Sequence, residues 1–422
     1  MNTILITAYA INPYKGSEDG MGWQFVMQAA RYHHVVAVTR RNNLPHIHRY
    51  IAAHKEELPH VSNVEFCAVD WPQWLLWWKK GPLLSLIYFY FWQLSVAIRF
   101  YRRRGEFEVV HNLNFHNDWT PSFLWLLRRP FVWGPVGHHP PIPAEFLKRV
   151  SFRERAREYM LRGMKWFFWN VDPFLRITRR RASHIFCMHE ASRKKLGKGA
   201  ASSIMPSVAT EEPACGPDEP RDFIVFSAGR FVPLKGFDIT LRSFATFYAM
   251  LPPGKRSGVK LVLAGSGPLK AQLLRIAAEE GIAGVVEIHE WMPRTELAAM
   301  YARASVFLFP SHEGAGMVVA EAMSYTLPVL CWNNCGPGAF LHPKASTAVA
   351  YCAYDEAIAA FAAQLNKLYT DNAFLRHERM LAAEQYHTQF RWSLRGETLK
   401  QVYDSVINNT LNHSLNTSAH EV

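Results

Sequence analysis

The chain has 422 residues, 49% of them hydrophobic, with a net charge of +12 and a pI near 9.4. That length exceeds one ordinary core, so two domains of about 200 residues are expected, and the apolar content excludes a disordered chain. Residues 1–210 hold 29 Lys and Arg against 14 Asp and Glu, whereas the remainder holds 18 against 21, so an anionic partner is expected for the first half.

The N-terminal "MNTILITAYA" lacks a basic n-region and reads as a first strand rather than a signal peptide. Strands are expected at Thr3–Tyr9, His34–Thr39, Val64–Val69, Phe107–Leu113, Phe131–Gly134 and His184–Met188. All are short and apolar on both faces, as buried parallel strands are. After the first strand, "AINPYKGSEDGMGWQF" sets Gly16, Gly20 and Gly22 before a helix expected to begin near Trp23. Glycines there allow backbone N–H groups to approach a phosphate at a helix N-terminus; a plain glycine turn fits equally. The spacing is not G-x-G-x-x-G. The second strand ends in Arg40 and Arg41 rather than an acidic ribose ligand, which argues against an NAD site.

From Gly81 to Ile98 no residue is charged, within "WPQWLLWWKKGPLLSLIYFYFWQLSVAIRFYRRR" (71–104). A span would put the third and fourth strands of one sheet on opposite sides of a bilayer, and both flanks are positive. A helix lying in an anionic membrane interface, with Lys79, Lys80 and Arg102–Arg104 on acidic lipid, is expected instead. Arg153–Arg181 is a second such stretch, and packing on the core of the first domain is the alternative for both. Aromatics beside arginine also suit nucleic acid, but no nucleic-acid module is present and the aromatics fall in apolar runs, so no nucleic-acid partner is expected.

"PSVATEEPACGPDEPRD" (206–222) reads as a linker between a first domain, 1–205, and a second, 223–389. Strands recur at Phe223–Ser227, Val259–Ala264, Val285–His289, Val306–Phe309 and Pro328–Trp332, so two doubly wound α/β units are expected. "AGRFVPLKGFD" sets Arg230 and Lys235 just beyond a strand end, where two cations suit a diphosphate. "LVLAGSGP" places Gly265 and Gly267 at another strand end. "SHEGAGMVVAEAM" puts Glu313 in a turn and Glu321 in the following helix, whose first turn holds Gly316, Met317 and Val318. Its N–H groups favour an anion, while carboxylates accept from hydroxyls. A sugar nucleotide reconciles the two. A solvated loop and an exposed helix glutamate fit the same residues. Three helical stretches follow Tyr354; the last, 390–407, is expected to pack back on the first domain, ahead of a flexible tail, 408–422. The six cysteines are scattered in mostly apolar runs, and no metal site is expected from the single C-x3-C of Cys331 and Cys335.

In order along the chain, these motifs resemble the retaining glycosyltransferases of family 4, of the polysaccharide- and lipopolysaccharide-assembly type. "EGAGMVVAE" resembles the E-x7-E motif, "GRFVPLKG" the diphosphate element, "GSEDGMGW" the N-terminal glycine loop, and "WGPVG" a motif of that branch. "HNDWTPS" is similar to the motif carrying an active-site histidine, which would be His116. The resemblance implies a GT-B fold: two Rossmann-like doubly wound domains, the first binding acceptor and the second a nucleotide-diphosphate sugar. It implies that Glu313 contacts the transferred sugar and Glu321 the ribose, while Arg230 and Lys235 stabilise the departing diphosphate. Trp291 and Met292 would border the base. Retention, no metal and no cofactor are implied, and no Asp-x-Asp is present. "GPVGHHPP" departs from the branch pattern by placing His138 and His139 where glycines usually continue, and His138 falls in the acceptor loop. The implied acceptor is a glycan or lipid-linked oligosaccharide, at the cytoplasmic face of the plasma membrane. A catalytically inactive nucleotide-sugar-binding scaffold is the alternative.

Overall fold

The computed structural model describes residues 1–113, 117–138, 141–196, 200–213, 216 and 222–418. The chain divides into two compact units. The first comprises Met1–His138, Gly163–Ser207 and Trp392–Val422, and the second His139–Arg162 and Val208–Arg391.

Among the described residues the first unit is built on seven parallel strands: β1 (Thr3–Thr7), β2 (His34–Thr39), β3 (Val64–Ala68), β4 (Val109–Asn112), β5 (Phe131–Val136), β6 (His184–Cys187) and β7 (Ser202–Ile204). Their order is β3-β2-β1-β4-β5-β6-β7, with Ile4 paired to Val35 on one side and Val109 on the other. Ile4, Leu5 and Ile6 are buried on both faces, as the continuous apolar runs require. The helix Gly81–Phe100 sends Tyr88, Phe89, Trp92, Val96 and Phe100 into a core shared with Leu5, Val36, Val110 and Phe131. Truncating Trp92, which has no exposure, to alanine would cost about 3–5 kcal/mol. The face expected to lie on lipid is therefore narrower than the apolar run. Among the described residues it exposes the large apolar side chains Ile87, Phe91 and Ile98, with Trp74 and Trp77 preceding them. No described helix is long and apolar enough to cross a membrane.

The second unit holds β8 (Phe223–Ala228), β9 (Val259–Ala264), β10 (Val286–His289), β11 (Val306–Phe309), β12 (Val329–Trp332) and β13 (Ala348–Val349). They form one parallel sheet in the order β10-β9-β8-β11-β12-β13. Helices Phe237–Met250 and Tyr354–Thr370 pack together through Phe244, Phe247, Phe361 and Leu365.

Several boundaries differ from expectation. Residues 139–162 group with the second unit: Phe146 enters its core and Glu145 Oε1 accepts from Tyr354 N at 2.9 Å. Of the expected linker, Ser207, Val208 and Ala209 are buried, because Thr210 N donates to Phe390 O at 2.8 Å and holds the segment down; 214–215 and 217–221 lie outside the described residues. The last helix spans Trp392–Ser418, so helix continues through most of the expected tail. It packs on the helix Ser17–Ala30, with Trp392 edge-on to Phe25 and the Tyr403 hydroxyl 2.6 Å from His111 Nδ1.

Candidate active site

In an open α/β sheet, ligands bind beyond the carboxyl ends of the strands, where the strand order reverses. In the second unit that point lies between β8 and β11. The loops leaving these strands carry Arg230 and Lys235 on one side and Glu313 on the other. His312 N and Ser311 Oγ both donate to Leu234 O, at 2.9 and 3.2 Å, and tie the loops together. Gly236, at φ 68, is required twice over: its conformation is left-handed, and a Cβ would lie 2.3 Å from Pro310 O.

The result is a close ion pair, with Lys235 Nζ 2.7 Å from Glu313 Oε1 and the side chains only 14% and 16% exposed. Lys235 also lies over the Phe309 ring at 4.9 Å. Burial pushes the Glu313 carboxyl above its ordinary range, opposed by Lys235 and by exposed Arg230. The helix Met317–Ser324 starts beside this carboxylate. A Cβ on Gly316, its N-cap, would stand 3.1 Å from Glu313 Oε1, so the carboxylate lies against the turn that opens this helix. Arg230, Lys235, Glu313 and Gly316 thus lie at one strand-end crevice.

Glu321 lies further along this helix. Burial raises its pKa, partly offset by a 3.1 Å hydrogen bond from the Tyr301 hydroxyl to Oε2 and by Arg294. Gly265, at φ 152, follows β9, and a Cβ there would fall 1.9 Å from Gly229 O, so the two loops meet backbone to backbone. Trp291 and Met292 follow edge strand β10; Trp291 is 78% exposed. On the other flank, His312, Trp332 and Tyr351 stack, the last pair at 4.7 Å and 17°. Burial lowers the His312 pKa to about 4, so its ring is neutral at pH 7.

In the first unit the order reverses between β1 and β4. The helix after β1 begins at Ser17 rather than near Trp23, so Gly20 and Gly22 sit inside it. Gly22 is needed for packing, since a Cβ would lie 2.1 Å from Ala10 O; Gly16 has nothing within 4 Å. Glu18 and Asp19 occupy the first turn and already complement the helix dipole, which weakens the case for a phosphate there. His116 lies outside the described residues, as does His139. His138 follows β5, with Nδ1 2.8 Å from Asp118 Oδ2, and Lys195 Nζ reaches the same oxygen at 3.1 Å. Burial opposes ionisation of Asp118, but His138 and Lys195 together outweigh it and hold the carboxyl below its usual range.

Sequence reasoning missed Asp118, Lys195, Tyr301 and Tyr351 as partners. Asp118 was within reach, lying in the quoted "HNDWTPS"; nothing in the local pattern distinguishes the others. Among the described residues no group of three or more His, Cys, Asp or Glu side chains could hold a metal ion.

Residues 210–387 match the family model described as Glycosyl transferases group 1. The chain is 37% identical over 113 residues to the D-inositol 3-phosphate glycosyltransferase of Acidothermus cellulolyticus, covering 25% of each chain. It is 31% identical over 135 residues to the GDP-mannose-dependent alpha-(1-6)-phosphatidylinositol monomannoside mannosyltransferase of Mycolicibacterium smegmatis, covering 30% of this chain and 34% of that one. The chain therefore spans a quarter to a third of the length of these two relatives. Among solved structures it resembles sucrose-phosphate synthase from Thermosynechococcus elongatus, with a TM-score of 0.63, 18% identity and coverage of 97% and 100%. It also resembles WaaG, a glycosyltransferase involved in lipopolysaccharide biosynthesis, with a TM-score of 0.56, 15% identity and coverage of 96% and 99%. Each unit is a Rossmann-like parallel sheet, the fold class is GT-B, and the second unit carries the segment similar to Glycosyl transferases group 1.

Proposed function

We propose that this protein is a retaining, metal-independent glycosyltransferase of family 4. It moves a hexose from a nucleotide-diphosphate sugar to a glycan or lipid-linked acceptor in bacterial exopolysaccharide or lipopolysaccharide assembly. The observation that carries this reading is the Lys235–Glu313 pair at the switch point of the second sheet, beside Arg230, within the segment matching the group 1 model. The relative acting on GDP-mannose and phosphatidylinositol monomannoside supports the donor and acceptor classes.

In this mechanism the bond between the anomeric carbon and the β-phosphate oxygen breaks. Negative charge grows on the diphosphate, where Arg230, Lys235 and the first-turn N–H groups of Met317 and Val318 receive it. The acceptor hydroxyl attacks from the same face, and its proton passes to a leaving phosphate oxygen. Glu313 accepts from hydroxyls of the sugar and Glu321 from those of the ribose. Gly265 lets the backbone approach the diphosphate, and Trp291 and Met292 border the base. His116 orients the sugar region, while Gly16, Gly20, Gly22 and His138 belong to the acceptor side.

The first unit sits on the inner face of the plasma membrane through exposed Trp74, Trp77, Ile87 and Phe91, flanked by Lys79 and Lys80. Trp74→Glu with Trp77→Glu weakens sedimentation with anionic vesicles at low salt; unchanged sedimentation removes the membrane from the reading. A thermal-shift screen of nucleotide sugars tests the donor. A true donor at 100 times its Kd stabilises by about 2.7 kcal/mol. Arg230→Ala, at an exposed position, weakens that donor at least about tenfold with the unliganded melting temperature unchanged. If every nucleotide sugar leaves the melting curve in place, the assignment fails.

A further inference from the structure

The first unit has another concave region, at the opposite ends of its strands from the β1 glycine turn. A cavity of about 520 Å³ is lined by Trp125, Arg128, Arg129, Arg181, Ser183 and Thr410. Arg128 and Arg129 lead into β5 and Ser183 into β6, so the cavity lies where these parallel strands begin. The two strand starts are pinned together: Phe131 N donates to Ser183 Oγ at 3.2 Å, and Ser183 N to Phe131 O at 2.7 Å. Arg129 Nε donates to Arg104 O at 2.7 Å, which joins the cavity to the arginine run after the helix Gly81–Phe100. Arg128 occupies the left-handed region, φ 53 and ψ 38, where glycine or asparagine is usual.

Arg128 and Arg181 are exposed and Arg129 half-buried, so water screens their mutual repulsion, and a bound anion would lower it further. Among the described residues none of the three pairs with a carboxylate, and Glu106, in the same run, is taken by Arg103 at 2.7 Å. The Trp125 ring forms part of the wall, while its buried Nε1 is not reached from the cavity. The lining thus offers guanidinium donors and, among the described residues, no carboxylate to pair with them. A carboxylate brings two oxygens; a phosphate brings more, in the geometry that guanidinium forks grip in pairs.

We propose that this cavity binds a phosphate group, carried either by a soluble anion or by a lipid headgroup. The site is independent of the nucleotide-sugar reading, since it uses none of those residues. Titration calorimetry at low ionic strength with inorganic phosphate, pyrophosphate and, as a carboxylate control, acetate tests the soluble arm. Sedimentation with phosphatidylglycerol vesicles against phosphatidylcholine vesicles tests the headgroup arm. Both use the full chain and the Arg128→Ala/Arg181→Ala double variant, with melting temperatures as folding controls. Saturable phosphate or pyrophosphate binding, weakened at least about tenfold in the double variant, supports a soluble ligand. Phosphatidylglycerol binding alone, weakened likewise, supports a headgroup. Binding to neither probe, equal binding by the double variant, or acetate binding as well as phosphate overturns the proposal. Nucleotide-sugar thermal shifts stay unchanged in the double variant, so this site and the donor site fail separately.

Discussion

Replacing Lys235 by methionine tests the electrostatics of the crevice. The substitution keeps most of the volume and removes the charge 2.7 Å from Glu313 Oε1. Burial has already raised the Glu313 pKa, so the folded state binds that proton more tightly than the unfolded chain. Its contribution to stability is therefore complete below the ordinary value of 4.5 and is lost as pH rises through the folded value. Without Lys235 the folded value rises further. The loss has a ceiling, because Glu313 can escape by staying protonated. At pH 7 that costs 1.36 kcal/mol for each unit above 4.5, or about 3.4 kcal/mol. At pH 5 the ceiling falls to about 0.8 kcal/mol. Urea denaturation of wild type and variant at both pH values reads the difference, with m-values as a control. Lys235→Met is expected to lose up to the ceiling at pH 7 and little at pH 5, and a Lys235→Met/Glu313→Gln double variant to lose the pH dependence. A deficit equal at both pH values, or larger at pH 5, refutes the reasoning.

Gly265→Ala puts a Cβ 1.9 Å from Gly229 O at φ 152, so a drop of roughly 3 kcal/mol is expected by thermal denaturation. Tyr301→Phe removes the donor to Glu321 Oε2; it is expected to cost about 1–2 kcal/mol in urea and to weaken the nucleotide sugar, read by calorimetry. Asp118, held below its ordinary 3.8 by His138 and Lys195, contributes stability above that value and loses it as pH falls through the folded value. Asp118→Asn should accordingly flatten the decline of the urea midpoint below about pH 4 while lowering the midpoint at pH 7.

The eleven strands expected from the sequence appear within a few residues of their places, because buried parallel strands are written as short apolar runs. The two missed strands lack that signature. Ser202–Ile204 is three residues, two of them serine, and Ala348–Val349 is only two; each closes the edge of a sheet and borrows its geometry from a neighbour. The first helix begins at Ser17 rather than near Trp23 because the glycines that suggest a turn lie within it, and Gly22 answers the close approach of Ala10 O. Residues 139–162 went to the wrong unit because a side chain such as Phe146 shows in sequence that it will be buried, not against what. In the candidate site, Arg230, Lys235 and Glu313 were legible because strand ends and loops mark them. Tyr301 and Lys195 were not, since a partner brought by a separate helix leaves no local trace.

The path of the backbone has a consequence for biosynthesis. The stretch Val208–Arg391 is inserted between the seven strands of the first unit and the helix that completes it. Emerging from a ribosome, the first sheet is translated before that insert, yet Trp392 and Tyr403 arrive only after it. At about 5–20 residues per second the uncovered flank near Phe25 and His111 stands open for on the order of tens of seconds. During that window the nascent chain offers apolar surface to chaperones or to other chains, and its earliest-made half is among the last to close.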